Sequence, residues 1–301
     1  MAWAIGKVTV TNIFEQDLTD LNEIIWGAKR ALIREIGWLV PHFATEDGHL
    51  KGVIQCFVIK TPSRTIVVDT CIGDGKDRRH FPHWHRLQTG FLDRFRAAGF
   101  DPAKVDIVLC THMHVDHVGW NTQWNGQQWV PTFPNARYLF AKTEFEHWER
   151  ESKRPIADLA TATSKREAGA ISFAHAMAET QRDSIQPIVQ CGLADFVDCE
   201  HQVCDEVRLI PTPGHTPGHV SVGISSEGRD AVITGDCVHH PCQIARPEWF
   251  SVADHDGARS TSTRRDLFAR VAAQKALLIG THFAAPTAGL VEPDGDGFVL
   301  K

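Results

Sequence analysis

The chain has 301 residues, 43% hydrophobic and 23% charged, with a formal net charge of −6. Such a balance excludes intrinsic disorder as the main state, and no apolar run approaches the roughly 18–20 residues of a membrane-spanning helix. An acidic chain without a block of Lys or Arg argues against a nucleic-acid partner.

In chain order, short Val- and Ile-rich segments bounded by Gly, Pro or Asp predict strands at 7–13, 53–59, 65–69, 105–110 and 137–140. A second group is predicted at 206–210, 219–224, 231–234 and 276–279. Helices are predicted between them at 91–98, closed by Gly99, at 142–151, at 164–181 and at 264–274. The last places Leu267, Phe268 and Val271 on one face. Strands alternating with helices on this scale give an α/β class with buried sheets. No linker divides the chain, so a single domain is expected, elaborated at about 17–48 and 151–190; either elaboration can cover a pocket or form a subunit contact.

The eight Cys include no C-x-x-C pair, and the first residues read as a strand rather than a leader peptide, so a cytoplasmic protein with reduced thiols is expected. Of the 17 His, those at 80, 83 and 85 have metal-like spacing but sit among Arg78, Arg79, Pro82 and Arg86, which favours an exposed loop.

The segment 105–119, VDIVLCTHMHVDHVG, carries the chemistry. An apolar strand ends at Thr111, and His112, His114, Asp116 and His117 follow in an H-x-H-x-D-H pattern. Side chains two apart in extended chain point the same way, so His112 and His114 can face one point. Asp116 and His117 can serve a second point if the chain turns, and Gly119 suits a turn; the pattern predicts two metals. Three later strands end alike in a Gly-containing turn with a metal-competent residue: PTPGHTPGH at 211–219, TGD at 234–236 and GTH at 280–282.

With Asp69 in VVDTCIG, these motifs stand in the order of the metallo-β-lactamase superfamily, which the sequence resembles over most of its length. The resemblance implies an αββα four-layer sandwich with the metals at one edge of two facing sheets. It also implies that His112, His114 and His215 bind one metal, that Asp116, His117 and His282 bind the other, and that Asp236 bridges them. Asp69 and His219 would orient ligands from behind. Imidazole and carboxylate ligands without thiolate suit Zn²⁺, with Fe²⁺, Mn²⁺ or Co²⁺ as alternatives. Such a pair supplies hydroxide near neutral pH for attack on a carbonyl or phosphoryl centre, with Asp116 as proton shuttle. Cys237, beside Asp236, is expected to pack away.

The stretches GDCVHHPCQ and 120–140 resemble the branch containing N-acyl homoserine lactonases and methyl parathion hydrolase, which implies ester, lactone or organophosphate hydrolysis. Several lactonases of the superfamily carry a Tyr shortly after the bridging Asp, which assists the substrate oxygen; here His239 and His240 stand there as candidates for that role, with a surface or structural role as the alternative. Trp120, Trp124 and Trp129 are candidates for an apolar pocket wall, with ordinary core as the alternative. The expected partner is a small, partly apolar substrate, and the N-terminal elaboration suits a homodimer by analogy. The rivals are a thioester hydrolase resembling glyoxalase II and a mononuclear-iron persulfide dioxygenase. The first usually binds an anionic thiol with C-terminal basic residues, yet the chain after His282 has one Lys and no Arg. Metal analysis and oxygen uptake separate the second.

Overall fold

A computed structural model of the chain describes residues 1–19 and 21–301; Asp20, within the elaboration at 17–48, lies outside the described residues. Two seven-stranded sheets dominate. The first runs Ala2–Ile5, Val8–Leu18, Gly52–Lys60, Thr65–Val68, Ile107–Cys110, Arg137–Ala141, Ala194–Val197 across its width. Its first four strands pair antiparallel and its last four parallel. The second runs Gln202–Cys204, Val207–Pro211, Val220–Ser226, Arg229–Ile233, Leu277–Ile279, Ala288–Asp294, Gly297–Leu300. Only Arg229–Ile233 and Leu277–Ile279 pair parallel there, and the helix Gly257–Gln274 makes their crossover.

Strand alternation explains the layering. Ile66, Val68 and Leu109 of the first sheet join Val220, Val222, Ile233 and Ile279 of the second in one buried cluster between the sheets. Val67 and Val108 point the other way, into a cluster with Phe91 and Phe95 of the helix Phe91–Ala97. On the far side the helix Gly257–Gln274 buries Leu267, Phe268 and Val271, as its periodicity predicts. Each such side chain contributes roughly 1.5–3 kcal/mol by leaving water. This helix begins a full two turns before the predicted start, because Asp256 caps it by accepting from the Arg259 N–H at 2.9 Å. The result is helix, sheet, sheet, helix: the four layers expected.

The arrangement also gathers strand ends. Thr65–Val68 and Ile107–Cys110 run parallel, so their C-terminal ends share an edge, and Arg229–Ile233 with Leu277–Ile279 do likewise. Val207–Pro211, two antiparallel steps from Arg229–Ile233, ends at that edge too. Backbone bonds stitch the sheets together there, from Val220 N–H to Thr111 C=O at 3.0 Å and from Val53 N–H to His282 C=O at 3.0 Å.

Several strands lack a sequence signal strong enough to predict them: Ala194–Val197, Gln202–Cys204 and the closing pair Ala288–Asp294 and Gly297–Leu300. All lie at or near sheet edges, where one neighbour suffices and polar residues are tolerated. Within the 151–190 elaboration, the helix Lys165–Thr180 continues through a π-helical turn, Gln181–Ile185, into Gln186–Gln190. The π turn places Asp183 where its carboxylate accepts from Arg78 Nη1 and Nη2 at 2.7 and 2.9 Å, fastening the elaboration to the body. No helix among the described residues is long and apolar enough to cross a membrane.

Candidate metal centre

The gathered edge carries the histidines. Beyond Cys110 the chain runs irregularly through His112 and His114 and turns at Val115–His117, closed by the His117 N–H to His114 C=O bond at 3.0 Å. Gly119 lets this loop press on the one after Thr65–Val68: a Cβ there would lie 1.7 Å from the Ile72 carbonyl oxygen. Its smallness, rather than a special turn conformation, is what the loop needs. Asp69 adopts a left-handed backbone, φ 55°, which Asp tolerates better than most residues. Its carboxylate is thereby turned under the ends of the strands.

Hydrogen bonds fix the proton on each ring. The Asp69 carboxylate can only accept, so His117 carries its proton on Nδ1, 2.9 Å from Asp69 Oδ2. Thr111 donates its N–H to Asp69 Oδ1 at 2.7 Å and its hydroxyl to Oδ2 at 2.9 Å. That hydroxyl can therefore only accept from His112 Nδ1, at 3.1 Å. His282 Nδ1 donates to the Val53 carbonyl at 2.9 Å, and His215 Nδ1 donates to Asp254 Oδ1 at 2.7 Å. In their neutral forms, His112, His117, His215 and His282 all aim a bare Nε2 lone pair into the same space.

Asp236 stands in the middle. Its Oδ1 lies 3.0 Å from His282 Nε2 and 3.3 Å from His117 Nε2, which are themselves 3.3 Å apart. Its Oδ2 lies 3.4 Å from His215 Nε2 and 3.8 Å from His112 Nε2, with His114 Nδ1 2.9 Å from His215 Nε2. Asp116 faces the first group, 3.6 Å from His282 Nε2 and 3.7 Å from His117 Nε2. The expected donors thus fall into two clusters, His112, His114, His215 and Asp236, and Asp116, His117 and His282, and His215 also groups with His239 and Asp254. Lone pairs at such separations repel unless a cation or a proton lies between them. Among the described residues, His112 Nε2 and Asp236 Oδ1 are also buried without a hydrogen-bond partner. The donor set therefore fits a pair of divalent cations.

Burial pulls the pKa values of His112 and His114 well below the ordinary imidazole range. Burial pulls His117 and His282 down too, but Asp236 and Asp116 outweigh it and hold both above that range. Burial pushes the Asp236 carboxyl up, and the rings of His117, His282 and His239 more than reverse this, leaving it well below the usual carboxylate range. His219 accepts from the Asp236 N–H through Nε2 at 2.9 Å, and its Nδ1 donates to Thr212 Oγ1 at 2.8 Å. Burial brings that ring down to about 3.

The two histidines after Asp236 part company. His239 turns Nε2 to Asp236 Oδ2 at 3.2 Å and leaves Nδ1 buried and unpartnered among the described residues. His240 turns away: its Nε2 donates to the Phe43 carbonyl at 2.9 Å and its Nδ1 accepts from the Cys242 N–H at 3.0 Å. Cys237 is buried, and burial pushes its thiol up to about 12, so it offers no thiolate.

The tryptophans correct the expectation of a pocket wall. Trp120 is core, stacked 5.5 Å from Phe91 and donating to Glu15 Oε1 at 2.7 Å. Trp124 is 53% exposed and meets Trp129 edge-on, while the Trp129 ring lies under Lys76 Nζ at 3.7 Å. None of the three is among the residues lining the cavity beside the histidines, about 800 Å³ in volume, whose walls include Trp148, Ile171, Phe173, Met177, Pro217 and His255. Trp148 and Phe173 pack on His114, with ring centres at 5.3 and 5.1 Å. The 151–190 elaboration thus forms a cavity wall. The His80, His83 and His85 group does not converge among the described residues; His80 stacks on His175 at 4.5 Å, His83 sits in a short 3₁₀ turn, Pro82–Trp84, and His85 Nδ1 accepts from the Arg78 N–H at 3.1 Å.

A family model for the metallo-beta-lactamase superfamily matches residues 50–282, which contain every one of these donors. The chain belongs to that superfamily. Within it the chain is similar to the N-acyl homoserine lactonase AttM of Agrobacterium fabrum, 36% identical over 58 residues, 19% of each chain. It is also similar to the N-acyl homoserine lactonase AiiA of Bacillus thuringiensis subsp. kurstaki, 22% identical over 191 residues, 60% of this chain and 61% of the relative. The matches thus span about a fifth to three fifths of the relatives' lengths. Among solved structures, the dizinc quorum-quenching lactonase AidC superposes with a TM-score of 0.78 at 20% identity, covering 100% of this chain and 96% of that one. This likeness carries the fold.

Asp254, which fixes the tautomer of His215, and Glu144, Trp148 and Phe173, which surround His114 and its loop, have no motif in the sequence. Asp254 is one of 37 acids, and only its burial sets it apart.

Proposed function

We propose that this protein is a two-metal hydrolase that opens a lactone, or cleaves a related ester, in a small molecule with an apolar body. The observation that carries the reading is the division of donors between the two oxygens of Asp236, with a cavity close by whose wall joins Trp148, Ile171 and Phe173 to charged residues such as Arg150 and Arg154. In the proposal His112, His114 and His215 would hold one cation and Asp116, His117 and His282 the other, and Asp236, with an oxygen turned to each group, would serve both. Bound there, such a pair would supply hydroxide near neutral pH and Lewis-acid polarisation for an acyl oxygen. Asp116, at 12% side-chain exposure the most open of the donors, receives the proton and returns it to the departing alkoxide. His239, whose Nε2 donates to Asp236 Oδ2, keeps a free Nδ1 lone pair that can accept from a substrate N–H or O–H. Trp148, Phe173 and Ile171 exclude water and seat the apolar body.

The AttM and AiiA likenesses support the lactone. Zinc is the proposed metal, supported by the donor chemistry and the dizinc neighbour. The free thiols support a cytoplasmic setting, and the 65% exposed Trp26 in the N-terminal elaboration supports a homodimer. The test is a screen of metal-analysed protein against acyl lactones, aryl esters, a phosphotriester and a thioester. Acyl lactones should turn over fastest, and His114→Ala and Asp236→Ala should abolish turnover. Full activity after exhaustive chelation refutes the reading.

A further inference from the structure

Glu144 lies in the first turn of the helix Lys142–Glu151, with 1% of its surface exposed. Its Oε1 accepts from the Met113 N–H at 3.1 Å, the residue between His112 and His114, and from Trp148 Nε1 at 2.6 Å. Its Oε2 accepts from the Gly218 N–H at 3.1 Å, on the loop that carries His215. Two loops distant in sequence are therefore pinned to one carboxylate, which is pinned in turn to the ring that packs on His114 and lines the cavity. The fit is tight: a Cβ on Gly218 would lie 2.3 Å from Glu144 N and 2.7 Å from Glu144 Cβ. Any side chain at position 218 would push the loop off the helix. All three partners are donors, so an ionised carboxylate matches them and an amide does not.

We propose that Glu144 is a positioning residue that sets the affinity of the cation held by His112, His114 and His215, and couples that cation to the Trp148 wall of the cavity. The proposal rests on the metal-pair reading above. Glu144 touches neither substrate nor reacting atoms in this scheme; it acts through the loops. Its bonds land beside His112, His114 and His215, while Asp116 and His117 lie further along the first loop and His282 on another, so its loss should weaken one cation more than the other.

The experiment uses the full chain loaded with Co²⁺, with stepwise dissociation followed by chelator competition and the visible absorption spectrum recorded. Glu144→Gln keeps size but sets an amide N–H against an N–H donor. Gly218→Ala disturbs the same contact from the other side. Each should weaken one bound ion by about 10–100-fold and alter its spectrum, with the second ion weakened clearly less. Far-UV circular dichroism checks the fold. Wild-type affinity and spectrum for both ions in either folded variant overturns the proposal, as does equal weakening of both ions. If Glu144→Gln fails to fold, Gly218→Ala decides by the same two outcomes. A wild-type chain that binds fewer than two ions overturns the metal-pair reading itself, and the role of Glu144 with it.

Discussion

Replacing Asp69 with Asn tests whether the ring tautomers are imposed from behind. Asp69 makes three hydrogen bonds, all as acceptor, at 2.7–2.9 Å, and only 1% of it is exposed. Asn keeps one acceptor, which the Thr111 N–H can retain. Its amide then meets the Thr111 hydroxyl and His117 Nδ1, both donors to the original carboxylate. The hydroxyl can turn, but then no longer fixes His112; His117 is driven to carry its proton on Nε2, where the cation should sit. Each donor cluster thus loses one correctly oriented ring. Loss of such a supporting partner costs about 10–100-fold in metal affinity, or about 1.4–2.7 kcal/mol per ion. Both ions should be affected, for about 3–5 kcal/mol in all. Chelator competition on Asp69→Asn, with Asp69→Ala alongside, measures this. If Asp69→Asn folds and holds both ions within about twofold of the wild type, the argument that these bonds set the tautomers is wrong.

Other substitutions probe the remaining parts. Asp254→Asn should weaken one cation by about 10–100-fold and leave the other, since Asp254 supports His215 alone among the proposed ligands; stepwise chelation reports which. Chelating both ions should lower the midpoint of thermal unfolding, and excess Zn²⁺ should restore it, because a ligand bound only to the native state stabilises by mass action; a midpoint indifferent to metal would contradict the fit of the donors to cations. Phe173→Ala should raise KM for lactones with long acyl chains by more than it lowers kcat, with little change for short ones; parallel losses for both would place Phe173 outside the substrate's path. Burial brings His240 down to about 4, whereas the unfolded ring titrates near 6.5. Between these values the unfolded chain binds a proton that the folded ring refuses. Stability from this group is therefore complete above about pH 6.5 and falls by up to about 3 kcal/mol on acidification to pH 4. Denaturant unfolding of wild type and His240→Gln at pH 7.5, 6 and 4.5 measures it, and equal pH slopes would refute the assignment.

The sequence by itself determined the strands that enter the core, because a short run of Val and Ile bounded by turn residues is a local record of a strand buried on both faces, and it determined the identity of the metal-competent residues. Those residues are legible because they are crowded: His112 to His117 share one loop, and His215, Asp236 and His282 each follow a buried strand and a Gly-containing turn. What the sequence left open is what lies across the chain from each of them. His239 and His240 are neighbours with the same side chain, yet one faces Asp236 and the other spends both nitrogens on backbone, a choice made by the Phe43 carbonyl from a segment nearly 200 residues earlier. Trp120, beside the motif, belongs to the core, whereas Trp148 and Phe173, from later helices, pack on His114. Asp254 and Glu144 carry no local signature, because a carboxylate supporting a ring or a loop is chosen by distance and burial, and both are properties of the assembled sheets and helices rather than of any stretch of chain.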